Sequence, residues 1–180
     1  MAGITDTPGK VVSIREIIIP AYYSTFNASR TYTHKIFDSG RAGTKSSRAG
    51  IKAIYKIISD PHCSVVALRK HHNKLKKTIY KEVLRAIGRL GLSKKDFKIT
   101  VSPMEITYKK YGTTIYFTGS DGIDDTKGII DEENPIKLVI IDELTEFFDD
   151  GDGEDELMNI EATFVRGNSD EFTMEYYFNP

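Results

Sequence analysis

Cysteine is almost missing from this sequence: Cys63 stands alone among 180 residues, which excludes an internal disulfide and fits a reducing compartment. Long hydrophobic runs are missing too. Ile17–Ile19 and Leu138–Ile141 fall far short of the roughly 20 apolar residues of a membrane-spanning helix. The N-terminus, Met1–Lys10, lacks the basic-then-apolar order of a secretory signal. No internal repeat or low-complexity tract occurs apart from the acidic stretch Asp149–Glu156. These absences predict a cytosolic chain. What is present, 39% apolar and 28% charged residues, is the composition of a globular domain, and 180 residues suffice for one core.

A net charge of −1 conceals an asymmetry. Residues 1–110 carry 22 Lys/Arg against 7 Asp/Glu, a balance of +15, while residues 111–180 carry 3 against 19, a balance of −16. A basic half serves a polyanion, or it provides solvated helix faces that the acidic half neutralises on folding.

The patterning alternates strands with helices, which predicts a parallel α/β sheet. A strand over about Tyr32–Asp38 runs into the glycine-bearing turn Ser39–Ser46. Ile51, Ile54, Tyr55 and Ile58 then recur at helical spacing. Ser64–Arg69 reads as a short apolar strand. Leu75, Ile79, Val83, Ala86 and Leu90 mark one helix face, stopped by Gly91, with Lys74, Lys77, Lys81 and Arg85 on the other side. Phe97–Tyr108 and Thr113–Thr118 read as a hairpin or edge insertion around Tyr111-Gly112. Leu138–Asp142 is a continuous apolar strand ending in acid. A helix is expected over about Leu157–Val165 and a last strand over Phe172–Phe178.

Two places carry chemistry. A strand–turn–helix points backbone N–H groups and the positive helix end at an anion. In the turn Ser39–Ser46, Lys45 is placed to reach terminal phosphates and Ser46 to hold Mg²⁺, with Ser47 the neighbouring hydroxyl. Gly40 and Gly43 are each displaced by one residue from the strict phosphate-loop pattern, so a plain strand–helix turn is the alternative. The second place lies 97 residues after Lys45, where Leu138–Ile141 delivers Asp142 and Glu143. Phosphoryl transfer from ATP needs a carboxylate in the metal shell and a group orienting the attacking water. Asp142 suits the first role and Glu143 the second, though acids also favour helix starts. His62, Cys63, His71 and His72 fit no standard zinc spacing. The run Asp149–Glu156 lacks the fixed glycine and closing glutamate of a calcium loop and reads as solvated.

Taken together, these residues resemble the N-terminal ATPase region of phage terminase large subunits, in the branch common among phages of Gram-positive bacteria. Ile36–Ser47 resembles that family's degenerate phosphate loop, with Arg41 at its arginine and Thr44 where glycine is usual. Tyr22–Asn27 looks like the segment near the adenine, and Val65–Lys70 like the strand-plus-arginine block. Tyr80 and Ala86–Leu92 resemble the following helix, and Ile115–Gly119 a hairpin. Val139–Glu146 resembles the acidic motif, and Phe178-Asn179-Pro180 the start of the motif coupling hydrolysis to movement. The likeness runs in order over about residues 15–180.

The resemblance implies a P-loop NTPase of the RecA/ASCE type: a three-layer sandwich with a mainly parallel sheet and a β-hairpin insertion. Residues 1–30 would form the adenine-side segment and 31–180 the P-loop core. The last part of the domain, and the family's nuclease domain, are expected to be absent. ATP and Mg²⁺ are the implied cofactors. Gly40, Arg41, Ala42, Gly43, Thr44, Lys45, Ser46, Ser47, Tyr23 and Phe26 would bind nucleotide, and Ser46 with Asp142 the Mg²⁺. Glu143, Lys45 and Arg41 would be catalytic, and Phe178 and Asn179 would couple. Double-stranded DNA is the implied substrate, with weak contacts at Lys74, Lys77, Lys81 and Arg85. A portal protein and a small terminase subunit are the implied partners. Assembly into a ring at a procapsid in the host cytoplasm is expected, with a monomer in isolation. Arg166 is either a charge-stabilising residue or a helix-end cation. The rival readings are a hydrolysis-deficient nucleic-acid-binding or scaffold remnant of this fold, and a helicase-like ATPase.

Overall fold

The computed structural model describes residues 12–26, 33–38, 40, 44–121, 133–149, 151–164 and 172–179. Two short helical turns, α1 (Ile14–Ile17) and α2 (Tyr23–Phe26), precede β1 (His34–Asp38) and the long helix α3 (Lys45–Ser59). Then come β2 (Ser64–Arg69), α4 (His72–Leu75), α5 (Ile79–Arg89), β3 (Phe97–Val101), β4 (Met104–Tyr108) and β5 (Thr114–Gly119). The chain continues through β6 (Ile136–Asp142), a 3₁₀ turn at Leu144–Phe148, α6 (Gly153–Phe164) and β7 (Thr173–Phe178).

The seven strands form one sheet in the order β1-β7-β6-β2-β5-β4-β3. The five strands from β1 to β5 in that order are parallel, and β4 and β3 add an antiparallel edge. β2 is buried at every position because helices cover both faces, hence its unbroken apolar run. Its side chains alternate: Val65 and Ala67 join the core under α3 and α5, while Val66 and Leu68 join the core under α6. Ile51, Ile54 and Ile57 of α3 are fully buried on the first face. Each contributes about 1.5–3 kcal/mol by leaving water. Gly50 is where α3 meets α5, since a Cβ there would lie 2.8 Å from the Glu82 carbonyl.

Three stretches differ from the sequence expectation. The helix read across Leu75–Leu90 is two helices, because the Thr78 hydroxyl bonds back to the Lys74 carbonyl (3.0 Å), competing with the continuing helix. Gly91 does end the second one: at φ 71° it donates to Gly88, and Leu92 donates to Ile87. β4 and β5 pair antiparallel across the Tyr111-Gly112 turn as expected, but the run Phe97–Tyr108 is itself two strands, turning at Ser102-Pro103, and β5 is an interior strand that also runs parallel to β2. The acidic run is partly helical: α6 starts at Gly153, with Glu154, Asp155 and Glu156 in its first turn, where the helix dipole favours acids.

Candidate functional site

β1, β6 and β7 run parallel and end at the same edge of the sheet, so the segments leaving their C-terminal ends converge. After β1 comes the phosphate-loop candidate, of which Gly40 and Thr44 onward belong to the described residues; Ser39, Arg41, Ala42 and Gly43 lie outside them. Thr44 takes a left-handed backbone (φ 57°, ψ 15°) just before α3, a conformation natural to glycine and strained for a β-branched residue. Its side chain makes no capping bond, which leaves the first-turn N–H groups of α3 to other acceptors. Lys45 opens the helix and is 7% exposed.

Asp142 ends β6 and is buried. Glu143 follows in a left-handed conformation (φ 58°) where the chain leaves β6. Asn179 follows β7 and joins the two sides: Lys45 Nζ donates to its Oδ1 at 2.9 Å, and its Nδ2 donates to Glu143 Oε1 at 3.2 Å. Gly40, Thr44, Lys45, Ser46, Ser47, Asp142, Glu143, Phe178 and Asn179 line one cavity of about 280 Å³.

Burial pushes the Asp142 carboxyl up to about 6; Arg69 opposes this and the neighbouring Glu143 adds to it. Arg69, at the end of β2, reaches Asp142 Oδ2 (3.4 Å) and grips Glu146 with two bonds of 3.0 Å. Lys74 also donates to Glu146, at 2.8 Å. Those hydrogen bonds, Arg69 first, hold the Glu146 carboxyl down at about 2. Asp142 and the Ser46 hydroxyl line the same cavity as Lys45, and they are oxygen donors of the kind a hard cation takes.

Several predicted residues lie elsewhere. Phe26 is buried in the core, stacked edge-on against Tyr55, and Tyr23 packs against Arg15. Neither lines the cavity. Lys74 is engaged by Glu146, so the basic stripe is interrupted; Lys77, Lys81 and Arg85 are exposed, with Arg85 paired to Glu82. Arg166 lies outside the described residues. Sequence reasoning missed Glu82, which lines the cavity from α5, and Arg89, which donates to the hydroxyl of the cavity residue Ser47. A helical face gives no local signal of a partner 42 residues away.

Residues 31–180 match the sequence profile of the family described as phage terminase large subunit. This chain belongs to that family. The large terminase subunit of Bacillus phage SPP1 is 24% identical over 176 residues, covering 95% of this chain and 40% of that protein. The chain thus spans well under half the length of this terminase relative. The N-terminal domain of the DNA packaging ATPase from bacteriophage phi29 superposes with a TM-score of 0.63 at 14% identity, over 91% of this chain and 79% of that one. The large terminase of the thermophilic bacteriophage D6E in complex with ADP gives 0.52 at 13%, over 87% and 35%. The fold is that of terminase ATPase domains, a P-loop sheet of the ASCE type. Among the described residues no helix is long and apolar enough to cross a membrane.

Proposed function

We propose that this domain binds ATP with Mg²⁺ and hydrolyses it to drive double-stranded DNA into a procapsid. The observation that carries this reading is the Lys45–Asn179–Glu143 chain across a cavity whose floor holds a buried carboxylate. Lys45 and the α3 N-terminus would bind the terminal phosphates, supplying cation and N–H donors together. Ser46 and Asp142 would hold the metal, which when bound neutralises charge developing on the phosphate oxygens. Glu143 would orient the attacking water. Asn179 is a polar contact from β7 to both and would carry the state of the site into that strand. The D6E relative solved with ADP supports nucleotide as the ligand.

On this reading the chain would assemble into a homo-oligomeric ring, with a portal protein and a small terminase subunit as partners in the host cytoplasm; membership of the terminase family supports this. The exposed Lys77, Lys81 and Arg85 are the described residues best placed for weak DNA phosphate contacts. The test is equilibrium binding of a fluorescent ATP analogue with and without Mg²⁺. The parent should bind more tightly with the metal, and Lys45→Ala should abolish binding. Equal binding by parent and Lys45→Ala would refute the site.

A further inference from the structure

The candidate site is tied through its Lys45–Asn179 contact to a buried polar ladder whose other rungs the proposed chemistry does not use. Lys45, Arg48 and Lys52 fall at i, i+3 and i+7, so they share one face of α3. Glu175, Tyr177 and Asn179 alternate along β7 and past its end, so they share the face that α3 covers. Arg48, Lys52, Glu175 and Tyr177 are each at most 2% exposed.

The rungs are specific. Lys45 meets Asn179. Arg48 donates to Glu175 Oε2 at 2.8 Å and Oε1 at 3.3 Å, and also to the Tyr177 hydroxyl, which donates to Glu175 at 2.6 Å. The Arg48 guanidinium lies 3.8 Å from the Phe37 ring centroid, and Phe37 stacks on Tyr177 at 5.0 Å. Lys52 donates to the Phe26 carbonyl and Lys35 to that of Thr25 (3.3 Å), which joins the N-terminal segment to the same cluster.

Burying three cations around one carboxylate is a poor way to hold a helix on a strand, because apolar packing of the same volume does as well or better. Among the described residues, Arg48 Nε is buried with no hydrogen-bond partner, a further cost. What such a network does supply is a fixed register between the elements it joins. Sliding β7 by one residue would turn Glu175, Tyr177 and Asn179 to the opposite face.

We propose that Arg48 is a positioning residue of the nucleotide site. Through Glu175 and Tyr177 it fixes where β7 presents Asn179 between Lys45 and Glu143. Its consequence for catalysis rests on the ATP-hydrolysis reading above; its geometry does not. A lysine cannot replace it, since only the planar fork serves Glu175 and Tyr177 together.

The test uses the whole chain with ¹⁵N-labelled asparagine. The Asn179 side-chain amide signal is assigned by its loss in Asn179→Ala, and Asn159 on α6 serves as the internal control. Arg48→Lys changes the fork, and Tyr177→Phe, the milder variant, removes one hydroxyl while keeping the ring stack. Both should shift or broaden the Asn179 signal and leave Asn159 in place. With Mg·ATP, Arg48→Lys should lower turnover about tenfold to a hundredfold, the scale of a small misplacement at a reacting centre, with nucleotide affinity unchanged. Tyr177→Phe should cost nothing further in an Asn179→Ala background. An unmoved Asn179 signal in folded variants, or an equal cost of Tyr177→Phe with and without Asn179, overturns the proposal. A parent that binds no Mg·ATP overturns the nucleotide reading instead, and the Asn179 signal still decides the ladder.

Discussion

Replacing Asp142 by Asn should stabilise the ligand-free chain while weakening what Mg·ATP adds, two effects of opposite sign from one atom. The buried Asp142 carboxyl sits at about 6 against an ordinary 3.8. That is about two units, and at roughly 1.4 kcal/mol per unit the ionised group costs about 3 kcal/mol at neutral pH. The folded value lies above the unfolded one, so the folded state takes up the proton more readily. The cost is therefore complete above pH 6, shrinks as pH falls, and has vanished near pH 4. Asn copies the neutral carboxyl in shape and still accepts from Arg69. At pH 7 the variant should melt about 6–12 °C higher, from roughly 2–4 °C per kcal/mol for a chain of this size, and at pH 4 the two should coincide. Saturating Mg·ATP should then raise the parent's melting temperature clearly more than the variant's, because binding to the folded state adds RT ln(1 + [L]/Kd). The assay is thermal unfolding across pH 4–8 with and without Mg·ATP. An Asp142→Asn variant that melts lower than the parent at pH 7, or gains as much from Mg·ATP, would refute the reasoning.

Other outcomes turn on single residues. Thr44→Gly relieves about 1–2 kcal/mol of left-handed strain against about 0.5–1 of added chain entropy, so its urea midpoint should match or exceed the parent's. A clear fall would contradict the strain. Lys77→Glu with Lys81→Glu should flatten the salt dependence of DNA binding by about 0.9 in log–log slope for each lost phosphate contact, and an unchanged slope returns both to plain solvation.

The core of the fold was legible because apolar periodicity reports burial directly. The runs at Ser64–Arg69 and Leu138–Asp142 became adjacent central strands, and Ile51, Ile54 and Ile58 became the buried face of α3. Lys45, Ser46, Asp142 and Glu143 were legible as residues because strand-end chemistry sits at fixed offsets from those runs, Asn179 only through the family resemblance, and the structure brings them around one cavity. Their contacts were not. Lys45 meets Asn179 across 134 residues, and Arg48 meets Glu175 across 127, distances at which local pattern carries no information. Arg48 and Lys52 are charged side chains of α3, and only the approach of β7 makes their side of the helix interior. Thr78 broke a helix that periodicity ran straight through, since apolar spacing does not register a hydroxyl competing for a carbonyl.

The most direct test of nucleotide hydrolysis at this site is single-turnover ATP cleavage by the parent chain and by Glu143→Gln, with nucleotide affinity measured on the same samples. Glu143 touches Asn179 and lines the cavity, while the phosphate-binding side is built from Lys45 and the start of α3. The variant should therefore bind Mg·ATP as the parent does, and cleave it at least about a hundredfold more slowly, the scale of losing one oriented group in a phosphoryl-transfer site. Cleavage at the parent rate with Glu143 neutralised would contradict the central claim.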